Sequence, residues 1–169
     1  MKRFYFTLML TLLTLIHPGQ ATEFGAAAAK LNSSPNIEQM LTYAIQDEYL
    51  ARAEYRLILQ KYGNIKPFSN IINAENQHIK RLSQIFTQRG LTLPADTATE
   101  HVILPQSLKA AMQTGVQAEI DNIAMYQAFL ENPLLNQKGN TDVQSVFKAL
   151  MNASEKHLSA FKRGLNRTN

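Results

Sequence analysis

Two tracts of the chain decide its fold, Glu75-Asn76-Gln77-His78 and Ser154-Glu155-Lys156-His157. Each lies in a long amphipathic pattern whose apolar residues recur at every third and fourth position, as on one face of an α-helix. Two more patterns of this kind carry Glu48 and Glu119 on their apolar faces. Four helices that direct carboxylates and imidazoles into a shared interior would supply the ligands of a buried site for two metal ions.

Capping and helix-breaking residues set the limits of the four predicted helices. Asn36 and either Asn140 or Thr141 are suited to N-caps, and Gly63 and Gly90 are suited to helix ends. The resulting helices span residues 36–63, 67–90, 108–129 and 140–165. No segment has the alternating pattern of a strand, so we predict an all-α fold.

The lengths of the linkers predict how the helices pack. The first linker, residues 63–66, is short enough to make its two helices antiparallel neighbours. The second, residues 91–106, can reach on the order of 50 Å when extended, whereas a helix of about 25 residues is about 37 Å long. It can therefore cross the whole bundle, and one long crossover between the second and third helices is the connection expected of a ferritin-like four-helix bundle.

Five polar side chains lie on otherwise apolar helix faces, at a similar depth in the bundle. They are Glu48, Glu75, His78, Glu119 and His157. His78 follows Glu75 by three residues, so both can reach one ion. Several buried carboxylates would repel one another and bind protons unless they were paired or bound to metal. The pattern therefore predicts a cation at the centre of the bundle.

Each of these residues also has a structural interpretation that needs no metal. Glu48 can pair with Arg52 one turn along the helix, Glu119 can lie at the edge of its stripe, and each histidine can be a packed core residue. An inward acid or histidine in every helix favours the metal site. We expect six further acids and histidines at the surface. Four lie outside the apolar faces of their helices, namely Asp47, Glu54, Asp121 and Glu131, and two lie in the second linker, namely Glu100 and His101.

The first 21 residues have the pattern of a secretory signal peptide. Lys2 and Arg3 precede an apolar run over residues 4–16, and small residues follow as far as Ala21. A membrane anchor is the alternative, but this run of 13 residues is shorter than the roughly 20 that a spanning helix needs. We expect cleavage after Ala21, export to a periplasm or to the medium, and no stable membrane insertion of the mature chain.

The mature chain, residues 22–169, has the length of one domain. We expect a flexible lead-in at 22–35, a helical bundle at 36–165 and a short tail at 166–169. The chain has no cysteine, so any metal must bind through His, Asp and Glu. The 17 basic and 13 acidic residues of the full chain, of which Lys2 and Arg3 lie in the predicted signal peptide, are scattered rather than gathered in a basic stripe, which disfavours nucleic-acid binding. Composition does not predict an oligomeric state.

The chain resembles the ferritin-like diiron carboxylate proteins, in which the first and third helices each supply Glu and the second and fourth each supply E-x-x-H. The match spans about residues 36–165. More narrowly, Q-D-E-Y-L-A-R-A-E-Y at 46–55, A-E-N-Q-H at 74–78 and S-E-K-H-L-S-A-F at 154–161 resemble the family catalogued as domain of unknown function 2202. The resemblance implies metal ligation by Glu48, Glu75, His78, Glu119 and His157.

The fourth helix departs from the E-x-x-H pattern of the diiron carboxylate proteins, because Ser154 stands three residues before His157, where those proteins have Glu. Glu155 points about 100° away, since a helix turns by that angle per residue. The narrower family often has a second acid one turn after Glu119, but this chain has Asn122 there. Asn122 and Ser154 are therefore accessory candidates. With three carboxylates, one or two Fe ions, or Mn or Zn, are compatible with the site.

We therefore expect an exported, ferritin-like metal-binding protein with iron-dependent oxidase or peroxidase chemistry. Oxygen or peroxide would be the reaction partner, and the nearby Tyr49, Tyr55 and Tyr126 are candidate electron donors, although core packing is the more ordinary role of a buried tyrosine. The alternative is a metal-free structural or partner-binding bundle, held by internal ion pairs. A ligated ion would stabilise the native state against unfolding, and an ion-paired bundle would be indifferent to chelator.

Overall fold

The structure is a computed structural model that describes residues 24–168, so the predicted signal peptide lies outside the described residues. The α-helices are α1 (Gly25–Leu31), α2 (Ile37–Tyr62), α3 (Phe68–Gln88), α4 (Leu108–Glu131) and α5 (Thr141–Asn166). Short 3-10 turns lie at Ala98–Glu100 and Pro133–Asn136. The described part of the chain contains no strand, which confirms the all-α fold. None of its helices is long and apolar enough to cross a membrane.

The ends of α2 follow the sequence prediction. The Gln39 backbone N–H donates to Asn36 Oδ1, and the Asn36 backbone N–H donates to Gln39 Oε1, both at 2.9 Å. This reciprocal capping box satisfies two amide groups that a helix start leaves unpaired. At the other end Gly63 has a φ of +83°, a conformation that glycine adopts without steric penalty.

The start of α5 differs in part from the prediction. Asn140 occupies the N-cap position, but its side chain does not cap the helix. Its Nδ2 donates to the Leu134 carbonyl at 2.8 Å, and its Oδ1 accepts from Arg89 Nη1 at 2.9 Å. Arg89 also pairs with Asp142, and its Nη2 donates to the Gly139 carbonyl. The Arg89 side chain therefore connects the end of α3 to the start of α5.

The four long helices pack as two hairpins. Helix α2 contacts α3, α4 contacts α5, and the hairpins meet through α2 with α4 and α3 with α5. The linker at 89–107 joins the hairpins and follows α2, because Arg52 pairs with Asp96 and both Lys61 Nζ and Tyr62 OH donate to the Pro105 carbonyl at 2.9 Å. Arg52 therefore does not pair with Glu48.

Two apolar clusters divide the interior. One includes Ile45, Tyr126 and Phe147, and the other includes Phe68 and Phe161. In α3, α4 and α5 the inward polar residues lie in sequence between the members of the two clusters, whereas Glu48 of α2 lies among members of the first cluster. Apolar packing on both sides thus holds the polar residues in the middle of the bundle, away from water.

The region expected to be a flexible lead-in differs from that expectation, because residues 25–31 form α1. Asp47 Oδ1 accepts the Ala26 backbone N–H at 2.8 Å, and Phe24 stacks on His101 with ring centroids 4.2 Å apart. Gly25 has a φ of +59°, and a Cβ there would lie 2.6 Å from Asp47 Oδ1. Seven residues rich in alanine are too few to show a helical period, and their order depends on contacts with distant residues. His101, expected at the surface, is half-buried by this packing.

Candidate metal centre

The structure brings all five predicted residues together between the four long helices. They form two groups, Glu48 with Glu75 and His78, and Glu75 with Glu119 and His157. Within each group, one potential ligand atom per residue lies within 4.8 Å of the others. The three glutamates are at most 4% exposed, so their carboxylates depend on one another and on the histidines for charge compensation.

Glu75 is the residue that the two groups share. Its Oε2 lies 2.9 Å from His78 Nδ1, and its Oε1 lies 3.3 Å from His157 Nδ1. The two imidazole rings are 5.7 Å apart with an interplanar angle of 27°. A single carboxylate thus presents one oxygen to each side of the centre and could contribute a ligand to a cation on either side.

The outer carboxylates complete the groups. Glu48 Oε2 lies 3.1 Å from His78 Nδ1, and Glu119 Oε1 lies 3.4 Å from His157 Nδ1. His78 Nδ1 has hydrogen-bond geometry to its carboxylates, but His157 Nδ1 is buried without a hydrogen-bond partner among the described residues. A buried ring nitrogen directed between two carboxylate oxygens, yet bonded to neither, is the donor arrangement that fits a bound cation.

Two buried tyrosines hold the outer carboxylates. Tyr126 OH donates to Glu48 Oε1 at 2.9 Å, and Tyr55 OH donates to Glu119 Oε1 at 3.2 Å. Hydrogen bonds of this kind fix the orientation of a ligand carboxylate. Tyr49 is buried, but its ring lies under the Arg52 guanidinium at 5.3 Å, away from these contacts. The structure therefore gives Tyr55 and Tyr126 a defined place at the site.

The two hairpins supply matching residues. In α2, Tyr55 follows Glu48 by seven residues, and in α4, Tyr126 follows Glu119 by seven. Each tyrosine bonds the glutamate of the other helix. Our sequence analysis missed this repeat, although the equal spacing of the two pairs was a detectable signal. The repeat places Ser154 of α5 where α3 has Glu75.

A chain of hydrogen bonds fills the side on which Ser154 replaces the expected carboxylate. Ser154 Oγ donates to Asn122 Oδ1 at 2.6 Å, and Asn122 Nδ2 donates to Asp47 Oδ2 at 2.7 Å. Both accessory candidates are buried and bonded to each other. Asp47, expected at the surface, is half-buried, because α1 covers it and Asn122 reaches it from α4.

Glu54 was also wrongly expected at the surface. It is only 8% exposed, and burial, followed by the negative charge of Asp47, raises the pKa of its carboxyl to about 7. Two other acids assigned to the surface, Asp121 and Glu131, are exposed as expected, as is Glu100. The helical period alone places Glu54 off the core face of α2, and only the neighbouring elements explain its burial.

The protein without metal must balance the charges of the centre with protons. Burial and the negative charge of Glu75 raise the pKa of Glu48. Burial also raises that of Glu75, but contacts with His157 and His78 outweigh this effect and lower its pKa. Burial lowers the histidine pKa values, yet the carboxylates raise the pKa of His78 to about 10 and that of His157 to about 9. Without metal, protons on both histidines and on Glu48 thus balance the negative charge of the other carboxylates. Bound metal cations would displace these protons and balance the charge instead.

These pKa values predict that the metal-free protein loses stability as the pH rises from 5 to 9. The native state retains protons that the unfolded chain releases, on Asp47 with a pKa of about 6, Glu54, Glu48 and both histidines. For each proton that only the native state retains, the free energy of unfolding falls by about 1.4 kcal/mol per unit increase in pH. The histidine contribution is complete below pH 6.5 and disappears as the pH passes 9 to 10.

Urea unfolding of chelator-treated protein at a series of pH values measures this slope. Glu54→Gln removes one retained proton and should make the slope shallower between pH 4.5 and 7. A free energy of unfolding that rises from pH 5 to 9 would contradict the proposed charge state of the centre.

Comparison with known proteins identifies a family model and a solved structure that are similar to this chain. Residues 37–169 match the model of the uncharacterized protein domain DUF2202. The fold is similar to the crystal structure of hypothetical protein MJ0754 from Methanococcus jannaschii DSM 2661, with a TM-score of 0.66, 23% identity, and coverage of 78% of this chain and 80% of that one. At that identity the likeness concerns the fold alone. No curated protein sequence matches the chain significantly. Because the family model spans most of its length, the chain belongs to the DUF2202 family.

Proposed function

We propose that the chain is an exported ferritin-like protein that binds two metal ions between its four long helices. The observation that carries this proposal is the sharing of Glu75, whose two oxygens face His78 and His157. Glu48, Glu75 and His78 would hold one ion, and Glu75, Glu119 and His157 would hold the other.

The ferritin-like topology is part of the proposal. Two helical hairpins joined by a long linker that follows α2 are the arrangement expected of that fold, in contrast to a bundle with three short turns. The equivalent ligands of the two hairpins support the same topology, since each hairpin supplies one Glu with its Tyr seven residues later and one His.

The donor set favours iron or manganese. Three carboxylates and two imidazoles combine oxygen and nitrogen ligands, which suit Fe and Mn and also accept Zn. Ser154 supplies no negative charge where the family pattern has a fourth carboxylate. Three carboxylates leave one positive charge uncompensated if two divalent ions bind, so we expect the second ion to be held more weakly than the first.

Two iron or manganese ions held in this way would supply redox chemistry with oxygen or peroxide. The residues of the chain would bind and orient the ions and exclude bulk water. Tyr126 and Tyr55 hold the outer carboxylates by hydrogen bonds, and the two apolar clusters cover the centre. Removal of this water strengthens the electrostatic interactions inside the site.

The second candidate is a metal-free bundle held by internal ion pairs. The contacts of His78 with Glu48 and Glu75 favour it, because a protonated imidazole can balance a buried carboxylate. His157 Nδ1 lies 3.3 Å from Glu75 Oε1 and 3.4 Å from Glu119 Oε1, but it makes no hydrogen bond to either oxygen, and this poorer geometry favours the first candidate. Addition of metal separates the two candidates, as only the first is stabilised by it.

We predict that the mature protein binds nearly two metal ions per chain after anaerobic loading with Fe(II), and that Glu75→Ala with His78→Ala binds almost none. The reason is that Glu75 serves both groups and His78 completes one of them. Inductively coupled plasma mass spectrometry measures the content, and thermal unfolding with and without chelator measures the linked stabilisation. At free metal 100-fold above Kd, the stabilisation is about 2.7 kcal/mol.

Glu155→Ala is the matched control, because Glu155 is an exposed acid of α5 next to Ser154 and belongs to neither group. Its metal content should equal that of the wild type. One ion per chain would indicate that the site without a fourth carboxylate holds a single metal. No metal in the wild type would refute the proposal and favour the ion-paired bundle.

Export is proposed from the pattern of residues 1–21 alone. We predict that expression of the full chain in a bacterium yields a mature protein outside the cytoplasm that begins at Thr22. Intact-mass measurement of the fractionated protein tests this. Recovery of only the uncleaved chain in the cytoplasm would contradict export and would leave the metal proposal unaffected.

A further inference from the structure

A groove separate from the metal centre lies between α1, α2 and α4. Its volume is about 1190 Å³, which exceeds the roughly 300–1,000 Å³ typical of small-molecule sites. Alanines from all three helices line it, including Ala29, Ala51 and Ala118, together with the larger apolar residues Leu50 and Phe129. Small side chains leave this space open, and the walls are mainly apolar.

Glu54 is the unusual residue of the groove. It lines the cavity, is 8% exposed, and its Oε1 is buried without a hydrogen-bond partner among the described residues. A buried carboxylate oxygen that lacks a partner destabilises the fold, because it has lost its hydrogen bonds to water without replacement. Burial raises its pKa to about 7, so at pH 8 the carboxylate is predominantly ionised and uncompensated.

The remaining charges of the groove favour a cationic occupant. Asp47 also lines it, but both of its oxygens are bonded, Oδ1 to the Ala26 N–H and Oδ2 to Asn122 Nδ2. It therefore adds negative potential and leaves Glu54 as the acceptor. The exposed Asp121 and Glu131 line the groove as well, against Lys30. An anionic occupant would face four carboxyl groups, whereas a cation would find complementary charge.

The groove does not have the composition of a metal site. Both groups of His, Asp and Glu found close enough to hold an ion in the described residues lie in the bundle centre, and neither includes Glu54. A divalent ion requires several oxygen or nitrogen ligands close together, whereas the groove offers a single buried carboxylate oxygen without a partner among the described residues. An organic cation with an apolar body would match both the buried Glu54 carboxylate and the apolar walls of the groove.

We propose that this groove binds a primary amine with an apolar body, whose ammonium group pairs with Glu54 while its hydrocarbon lies against the alanines of α1, α2 and α4. The ammonium group would donate to the unpartnered Oε1 in a charge-assisted hydrogen bond. The apolar body would bury hydrocarbon surface in proportion to its length. The proposal is independent of the metal centre, because the groove contains none of the five candidate ligands.

Calorimetric titration of the mature protein with octylamine at pH 8, compared with 1-octanol as the uncharged isostere, tests this proposal. We expect saturable binding of one octylamine per chain, at least about tenfold tighter than 1-octanol, because a charge-assisted bond contributes roughly 1.5–3 kcal/mol. Glu54→Gln should reduce the affinity for octylamine to that for 1-octanol. Glu155→Gln, a change of an exposed acid outside the groove, should leave the tenfold preference intact.

Ala118→Phe provides a second test, because a phenyl ring at this position would fill the groove and should abolish binding of both compounds. The absence of saturable binding, equal affinities for the two compounds, or full octylamine binding by Glu54→Gln would overturn the proposal. Two other results would also overturn it. Mn(II) binding that Glu54→Gln removes would assign the groove to a metal, and a dimer that Ala118→Phe dissociates would assign it to a second copy of the chain.

Discussion

The structure depends on the burial of one carboxylate, Glu75, between two histidines. At 3% exposure it has almost no contact with water, so its charge must be balanced by groups from other helices. His78 lies on the same helix, whereas His157, Glu48 and Glu119 come from the other three. The four long helices must therefore converge at one depth, since displacement of any one of them would leave a buried charge uncompensated.

The rest of the molecule supports this convergence from outside. Two apolar clusters pack on either side of the polar centre, and the linker is fastened to α2 through Asp96 and Pro105. The matched contacts of Tyr55 and Tyr126 with the outer glutamates cross between α2 and α4. The arrangement is close to symmetric, and Ser154 is the point at which the symmetry fails, because its partner Asn122 leads to Asp47 instead of providing a fourth carboxylate.

The periodicity of the sequence predicted the helices and the inward direction of the five central residues, because both follow from the 3.6-residue repeat. It could not predict the partial burial of Asp47, because that depends on α1, a seven-residue helix whose position is set by contacts with distant residues. Nor could it predict the burial of Glu54, which lies off the core face of α2. It also offered Arg52 as the partner of Glu48 from their spacing, whereas Arg52 pairs with Asp96 from the linker. Local patterns thus predicted the centre, and long-range contacts determined its surroundings.

Anomalous X-ray scattering from crystals of the manganese-loaded protein would show whether Glu75 serves both groups of candidate ligands. We expect two peaks in the bundle centre. One peak should lie beside Glu48 and His78, the other beside Glu119 and His157, with Glu75 contacting both. A single peak that Glu75 does not contact, or no peak in the bundle centre, would contradict this expectation.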